Sequence, residues 1–213
     1  MKGTVHIVVL GKENVGKTAV AVRYLTGRYL TEYAHAPEMT YERNVNVDGK
    51  HVPLKITDIS RKQIEQRSGN KEFLNKVDGI VVVYAINDRH SFEFAEGICD
   101  WIRREKKPST QVPVVLLGNK ADLTHDRCVS CQKTEELKWR HDGYLVTECS
   151  ASTEVVEVNK VFNTLINKIL EKRESSSKSP RRLSQNPLGS PKIIRASLKR
   201  RFSVFTRERT STM

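Results

Sequence analysis

Apolar residues through the first four fifths of the chain alternate between short strand-like runs and longer stretches with helical spacing. Six strand-like runs occur: residues 5–10, two segments within 44–58, and residues 79–86, 112–117 and 144–149. Most are apolar at nearly every position, as strands covered on both faces of a sheet are. The two segments within 44–58 instead alternate in polarity and are separated by Asp48-Gly49, a pair that is typical of a hairpin turn. The pattern therefore predicts a mostly parallel six-stranded sheet with one antiparallel edge strand.

Stretches with helical spacing separate these strands. One begins near Val20 and is ended by Gly27, and two more cover residues 92–106 and 134–141. In the last stretch the apolar positions recur at i, i+3, i+4, i+7, i+8 and i+11: they are Val158, Val161, Phe162, Leu165, Ile166 and Ile169. This spacing gives one apolar face and predicts a long amphipathic helix. Alternating strands and helices predict an α/β fold with helices on both faces of the sheet.

The segment after the first strand matches the pattern G-x-x-x-x-G-K-[ST]. Its residues are Gly11, Lys12, Glu13, Asn14, Val15, Gly16, Lys17 and Thr18, and Ala19 follows them in the predicted helix. A loop of this kind turns backbone N–H groups towards phosphate oxygens, and the helix N-terminus adds the positive end of its dipole. Lys17 would reach the β- and γ-phosphates, and the Thr18 hydroxyl would bind Mg²⁺. A strand-to-helix turn with chance glycines is the alternative. Because motif and position agree, we expect a nucleoside triphosphate site.

A second motif specifies the base. Asn119, Lys120 and Asp122 belong to the sequence N-K-A-D, directly after the strand-like run at 112–117. A carboxylate at Asp122 accepts two parallel hydrogen bonds from the N1–H and N2–H₂ groups of guanine, and adenine offers no such pair of donors. Four letters alone match often by chance, but here the motif follows a phosphate loop and lies at a strand end. The sequence therefore predicts GTP and GDP as ligands.

Together these motifs resemble the Ras superfamily of small GTPases over residues 5–173. The matching segments are GKENVGKT, VDGIVVVYAINDRHSFE, LLGNKAD and ECSAS, and within the Ras branch the chain is similar to the estrogen-regulated growth-inhibitor and Ras-like family groups. The resemblance implies a P-loop NTPase fold, the Ras-like G domain, with five helices. It also implies an intracellular signalling switch that binds GTP and GDP with Mg²⁺ and has effectors and exchange factors as partners.

The same resemblance assigns roles to further residues. It implies that Lys17 takes part in catalysis and that Asp58 supports Mg²⁺ through a water molecule. It implies a guanine contact from the segment ECSAS, whose relevant residues are Ser150, Ala151 and Ser152. Ser152 stands where the superfamily usually has a lysine.

The segment that makes hydrolysis efficient in the superfamily departs from its usual form. Relatives have D-x-x-G-Q, in which the glycine contacts the γ-phosphate and the glutamine orients the attacking water. Here the letters are DISRK, so Arg61 replaces the glycine and Lys62 replaces the glutamine. An ammonium group donates hydrogen bonds but accepts none from water. Lys62 therefore cannot repeat the role of the amide, although its charge makes it a candidate to stabilise the transition state.

Switch I and the phosphate loop depart as well. An ungapped alignment places Ala36 where relatives have a threonine that binds Mg²⁺, and Thr40 is the nearby candidate to replace it. Glu13 adds a carboxylate beside the expected γ-phosphate, where Ras has glycine. We therefore expect a small GTPase with weak or slow hydrolysis. The alternatives are a hydrolysis-deficient, nucleotide-bound scaffold that regulates a partner protein, and an activating protein of different geometry that restores hydrolysis.

Positive charge is concentrated in residues 174–213. They carry ten Lys and Arg against two Glu, which is +8 of the net charge of +12 of the 213-residue chain, together with nine Ser. This composition predicts a disordered basic tail after a single domain at 1–173, which we expect to be a monomer. No cysteine follows Cys149, so we expect no prenyl anchor.

Apolar residues in the tail are spaced as on one face of a basic helix: they are Ile194, Leu198, Phe202 and Phe205. Such a strip suits an anionic membrane surface or calmodulin, and a solvated tail without either contact is the alternative. Nucleic-acid binding is a poorer fit, although residues 199–201 suit nuclear import. Ser184 and Ser203 each follow two arginines. They are candidate kinase sites, which adds a phosphoserine-binding protein to the candidate partners.

Hydropathy and cysteine usage bear on the compartment. No apolar run is long enough for a transmembrane helix, and the first residues lack the form of a signal peptide. We therefore expect a cytoplasmic protein that reaches the membrane surface or the nucleus through its tail. Cys128 and Cys131 form a CxxC, but no second cysteine pair or histidine pair stands at zinc-ligand spacing. Reduced thiols are expected, with metal binding or redox chemistry as the alternative.

Overall fold

The computed structural model describes residues 3–30, 32–33, 38–67, 71–105, 112–141 and 143–177. The predictions for Ala36 and for the tail beyond residue 177 lie outside these residues. The strands are β1 Val5–Gly11, β2 Glu38–Val47, β3 Lys50–Ile59, β4 Gly79–Ala85, β5 Val114–Asn119 and β6 Leu145–Glu148. The helices of the described residues are α1 Lys17–Thr26, α2 Arg61–Arg67, α3 Lys71–Asn75, α4 Arg89–Glu105, α5 Cys131–Arg140 and α6 Val155–Ser177.

The strands form one sheet in the order β2-β3-β1-β4-β5-β6. β2 and β3 pair antiparallel, and the other neighbouring pairs are parallel. Between β2 and β3, Asp48 and Gly49 have φ values of 48° and 78°. A two-residue hairpin turn of this hand requires positive φ at both central positions. The predicted α/β fold, with one antiparallel edge strand on a mostly parallel six-stranded sheet, is confirmed.

Helices cover both faces of this sheet and create two apolar clusters. On one face, side chains of α1 and α6 pack against strand residues such as Ile7 and Ile56. On the other face, side chains of α4 and α5 pack against strand residues such as Val8. Successive residues of a strand point to opposite faces. This alternation decides which polar side chains at the strand ends meet.

Polar contacts, rather than apolar spacing, set the start of α4 at Arg89 instead of the predicted residue 92. The Asp88 carboxylate accepts a hydrogen bond from the Ser91 N–H at 3.1 Å, and the Ser91 hydroxyl donates to the Asp88 carbonyl at 2.6 Å. The carboxylate thus caps an N–H of the first helical turn, and the Asp88 carbonyl that receives the Ser91 hydroxyl also accepts from the Ser91 and Phe92 N–H groups. The helix therefore begins one turn earlier than its apolar face.

The described residues contain six helices where five were expected, because α2 and α3 are too short to be predicted from apolar periodicity. Each buries one apolar side chain fully, Ile64 in α2 and Leu74 in α3, and Phe73 of α3 is partly buried against the same cluster. At the other end of the chain, α6 continues to Ser177, beyond residue 173. No helix in the described part of the chain is both long and apolar enough to cross a membrane.

The CxxC thiols lie on the surface. Cys128 and Cys131 are both exposed and are not joined by a disulfide, and Cys131 is the first residue of α5. Ser130 caps this helix by accepting a hydrogen bond from the Lys133 N–H at 3.4 Å. The segment that contains Cys128 and Cys131 thus forms the start of α5.

Replacing Phe162 with alanine tests the packing of α6 on the sheet. The Phe162 side chain is fully buried and its ring stacks on Tyr24 with centroids 4.4 Å apart. Phe162→Ala is expected to lower the free energy of unfolding by about 3–5 kcal/mol, because it removes apolar contacts and leaves a cavity. Val156, on the same helix, is 75% exposed, so Val156→Ala should change it by less than about 0.5 kcal/mol. Urea denaturation measures both, and equal effects would contradict the described packing.

Candidate functional site

The loop between β1 and α1 has a backbone that only glycine adopts easily at two positions. Gly11 and Gly16 have φ values of 148° and 90°. A Cβ atom on Gly11 would lie 2.2 Å from the Val83 carbonyl oxygen, and one on Gly16 would lie 2.3 Å from Nδ2 of Asn119. Real Cβ atoms do not approach other atoms this closely, so both glycines are needed for the backbone to pass its neighbours. The predicted phosphate loop therefore has the geometry that its motif requires.

The Lys17 side chain returns over this loop. Its Nζ donates a hydrogen bond to the Lys12 carbonyl oxygen at 3.0 Å. Burial lowers the pKa of the Lys17 ammonium, and the Asp58 and Glu13 carboxylates act in the opposite direction. A partly desolvated ammonium held inside a loop of backbone N–H groups is suited to bind phosphate oxygens. Ala19, in the first turn of α1, is buried in the apolar cluster on this face of the sheet.

The side-chain oxygens of Thr18 and Asp58 meet at the edge of the loop. The Thr18 hydroxyl donates a short hydrogen bond to Oδ2 of Asp58. Burial raises the pKa of Asp58, while this hydrogen bond and the charge of Lys17 oppose the shift. A hydroxyl and a carboxylate are hard oxygen ligands of the kind that Mg²⁺ prefers. The two residues therefore fit the expected metal, with Lys17 beside them to bind phosphate.

The Asn119 amide joins the phosphate loop to the two segments predicted to bind guanine. Its Nδ2 donates to the Val15 carbonyl at 2.8 Å, and its Oδ1 accepts from the Ala151 N–H at 3.0 Å. Only this orientation of the amide satisfies both partners, because one is an acceptor and the other a donor. The side chain is 3% exposed. Residues from three loops thus form one unit at the carboxyl ends of β1, β5 and β6, where open α/β sheets bind ligands.

The remaining predicted guanine ligands lie in the same unit. Lys120 has a left-handed φ of 63°, and after it the Ala121 N–H donates to the Cys149 carbonyl at 3.1 Å. This bond places the exposed Asp122 beside the segment that contains Ser150 and Ser152. The hydroxyls of these two serines are 2.8 Å apart. The carboxylate is thus presented to solvent beside a fixed loop.

Comparison with known sequences agrees with this geometry. The sequence model of the Ras family matches residues 6–171 of the chain. This protein belongs to the Ras family. The human Ras-related and estrogen-regulated growth inhibitor is 34% identical over 181 residues, which cover 84% of this chain and 88% of the relative. The Ras-related and estrogen-regulated growth inhibitor-like protein of Bos taurus is 34% identical over 196 residues, with coverage of 87% and 96%. The Ras-like protein family member 11B of Xenopus tropicalis is 31% identical over 216 residues, with coverage of 98% and 86%.

Membership of the Ras family indicates which class of ligand the site binds. The resemblance to Ras-like small GTPases, stated above from the motifs, is confirmed. Ras-like small GTPases are GTP-binding regulators, and they generally bind guanine nucleotide with Mg²⁺. The loop with Lys17, the oxygen pair of Thr18 and Asp58, and the exposed Asp122 supply suitable groups for each part of such a ligand.

The structure does not bring Thr40 to the expected metal position. The hydroxyl oxygens of Thr40 and Thr57 are 3.2 Å apart, and Nε2 of His6 is 2.9 Å from the Thr57 hydroxyl. Thr40 pairs with Thr57 across β2 and β3, so both side chains lie on the face of the sheet opposite to that of Asp58. Among the described residues, Thr40 therefore does not stand beside Thr18 and Asp58 as a replacement for the threonine that binds Mg²⁺ in relatives.

Two of the other departures from Ras, Lys62 and Glu13, lie on the surface. Lys62 is exposed on α2, and Glu13 is exposed at the tip of the phosphate loop. The backbone of Arg61 begins α2. The adjacent Gln63 is only partly exposed, and within the described residues its Oε1 is enclosed and meets no donor. Gln63 carries no motif signal in the sequence, because it lies one position beyond the usual glutamine.

A contact that the motif does not predict links the phosphate loop to α4. Lys12 Nζ donates to Oδ2 of Asp88 at 3.2 Å. Burial acts to raise the pKa of Asp88, but hydrogen bonds from the Ser91 N–H and from Lys12, together with the charge of Lys12, hold it below its ordinary value. The Lys12 side chain therefore points towards the start of α4, while its carbonyl oxygen holds Lys17.

Replacing Gly16 with alanine tests whether this loop binds nucleotide. Because the new Cβ would collide with the Asn119 amide and favour a different φ, Gly16→Ala is expected to weaken GDP binding by at least about tenfold. Gly97→Ala is the matched control, since a Cβ added to Gly97 in α4 would have no neighbouring atom within 4 Å. Titration with fluorescent GDP measures the affinity. Unchanged affinity in Gly16→Ala would show that the glycine geometry does not serve ligand binding.

Proposed function

We propose that this Ras-family protein is a signalling switch or regulator that binds GTP and GDP with Mg²⁺ and hydrolyses GTP slowly. The observation that carries the proposal is the Asn119 bridge, since one buried amide holds the Val15 carbonyl of the phosphate loop and the Ala151 N–H of the guanine segment. This bridge fixes the distance between the two ends of the site. A nucleotide with a phosphate chain and a guanine base needs both ends at once.

Each residue then has a defined task in binding. Lys17 holds the phosphate oxygens, Thr18 holds the metal directly and Asp58 holds it through water. Asp122 selects guanine by accepting hydrogen bonds from the two donors of the base. A bound Mg²⁺ neutralises charge on the phosphate oxygens. The chain's own contribution is to keep these groups in place through the backbone contacts of Gly11 and Gly16.

Slow hydrolysis follows from the residues that surround the expected γ-phosphate. Lys62 is exposed and donates hydrogen bonds only, so it cannot orient a water molecule as an amide does. The exposed Glu13 adds negative charge to the loop, which opposes the negative charge of the phosphate. Thr40 lies on the other face of the sheet, bonded to Thr57. These three arrangements weaken the same step.

A nucleotide-bound scaffold without turnover is the second candidate function. The position of Thr40 favours it, because a switch loop without a metal-binding hydroxyl has one contact fewer by which it senses the γ-phosphate. Both candidates bind GTP and GDP. They differ in whether bound GTP is converted to GDP, so the rate of a single turnover distinguishes them.

The base preference is tested by Asp122→Asn. This change replaces an acceptor with a donor opposite the N2 position, where xanthine carries an oxygen. We expect affinity for GDP to fall and affinity for xanthosine diphosphate to rise, so that their ratio changes by at least about tenfold. Asp126→Asn, the same substitution at a nearby exposed aspartate, should leave the ratio unchanged. ATP binding as tight as GTP binding in the wild-type protein would disprove the guanine assignment.

The catalytic prediction is tested by single-turnover GTP hydrolysis. We expect the wild-type rate not to exceed the intrinsic Ras rate, which is on the order of 10⁻⁴ s⁻¹, and Ras-type activating proteins to add little of their usual acceleration of about 10⁵-fold. Lys62→Gln should recover part of the activity, and Lys62→Gln with Arg61→Gly and Glu13→Gly should recover more than the separate changes combined, since the residues act as a unit.

Gln63→Ala is the control for this series. It removes the neighbouring amide on α2 and should leave the wild-type rate unchanged. A drop in rate would show that Gln63 supplies the missing amide from a shifted position. A wild-type rate well above the intrinsic Ras value, or strong acceleration by a Ras-type activating protein, would contradict slow hydrolysis.

A further inference from the structure

The side chain of Arg23 connects segments that are far apart in the sequence. Its Nη2 donates to the Ser152 carbonyl at 3.2 Å, and its Nη1 donates to the Gly27 carbonyl at 3.4 Å. Its own carbonyl accepts from the Gly27 N–H at 2.8 Å, which closes the end of α1. Arg23 therefore holds the end of α1 and the guanine segment 149–152 in one arrangement.

The guanine segment is fixed from two sides. Ala151 is held by Asn119 through its N–H, and the next residue, Ser152, is held by Arg23 through its carbonyl. Ser150 lies between the strand and these contacts and accepts from the Thr153 N–H at 3.3 Å. Asn119 is the residue that the guanine motif accounts for. Arg23 belongs to no motif.

The chemistry of position 152 explains why a cation from α1 is useful there. The superfamily usually has a lysine where this chain has Ser152, and a serine hydroxyl is neutral and short. The Ser152 hydroxyl lies 2.8 Å from that of Ser150, so it is engaged within its own segment. The guanidinium of Arg23 is the positive group that contacts this residue instead.

The Nε atom of Arg23 differs from its two Nη atoms in its surroundings. Within the described residues its Nε is enclosed and meets no acceptor. A buried donor without a partner costs free energy, and such groups in native structures call for an explanation. The two Nη atoms therefore make the hydrogen bonds of this guanidinium among the described residues, one to the end of α1 and one to the guanine segment.

We propose that Arg23 is a positioning residue for guanine nucleotide, and that it supplies from α1 the cation that the guanine segment lacks at Ser152. The inference rests on the proposed nucleotide binding. Loss of the guanidinium frees the Ser152 carbonyl and loosens the link between α1 and the segment. The segment then keeps its bonds to Asn119, Ala121 and Glu154 but loses its link to α1 at Ser152, so nucleotide dissociates faster.

The dissociation rate of fluorescent GDP from the full-length protein tests this proposal. Arg23→Met keeps an apolar stem and removes the donors, and should speed dissociation about three- to tenfold. Arg23→Lys keeps the charge with fewer donors and should lie between Arg23→Met and the wild type. Arg104→Met, at an exposed arginine of α4, should dissociate GDP at the wild-type rate.

A second substitution separates positioning from a role in the fold alone. If Arg23 replaces the missing lysine, adding Ser152→Lys to Arg23→Met should restore slow dissociation, to within about twofold of the rate of Ser152→Lys alone. A residue needed only for stability would not be rescued in this way. Thermal unfolding of each variant shows whether the fold is kept.

Three outcomes overturn the proposal: a wild-type rate in Arg23→Met, faster dissociation that Ser152→Lys does not correct, or loss of the fold in Arg23→Met and Arg23→Lys alike. Failure of the wild-type protein itself to bind GDP would instead disprove the proposed function. The two failures are therefore distinguishable in the same measurement.

Discussion

The Asn119 amide is the contact on which the geometry of the site depends. It is buried, and both of its polar atoms bond to backbone groups, one in the phosphate loop and one in the guanine segment. A buried amide that loses one partner leaves an unsatisfied polar group, which is costly in free energy. Neither loop is therefore free to move without the other. The close approach of Gly16 to the same amide shows how little space remains for adjustment.

The same construction explains why the two halves of the site can lie on separate elements. The phosphate loop follows β1, and the guanine segments follow β5 and β6, which are separated from β1 by β4 in the sheet. The strands are parallel, so their carboxyl ends share one edge. The rigid sheet sets the approximate distance, and the Asn119 side chain sets the final contact. Arg23 adds a second, less buried link from α1.

Much of this could be predicted from the sequence, because the relevant signals are local. Runs of apolar residues identify buried strands, and the phosphate-loop and guanine motifs each lie within a few consecutive residues. The bridge itself joins Asn119 to Val15, 104 positions away, and was not predicted from these motifs. Helices α2 and α3 could not be predicted, since seven and five residues are too few for apolar periodicity to be recognised.

Contacts between distant residues were also beyond the sequence pattern. The position of Thr40 depends on which face of β2 it occupies, and that is decided by its pairing with Thr57. The start of α4 depends on Asp88. Its carboxylate also accepts a hydrogen bond from Lys12, which lies 76 positions earlier in the sequence. Arg23 reaches a residue 129 positions away. Periodicity and short motifs carry no information about such pairs.

The pairing of Lys12 with Asp88 has a consequence for the electrical balance of the whole loop. The loop itself carries the charged side chains of Lys12, Glu13 and Lys17. Two carboxylates, Asp58 and Asp88, are hydrogen-bonded to it, which makes two cations against three anions. Lys12 is already paired with Asp88. The charged side chains around a polyanion that enters this loop therefore sum to a net negative charge, with the half-buried Lys17 ammonium among them. Such a site favours a ligand that arrives with its own divalent counter-ion over one that arrives as the bare anion.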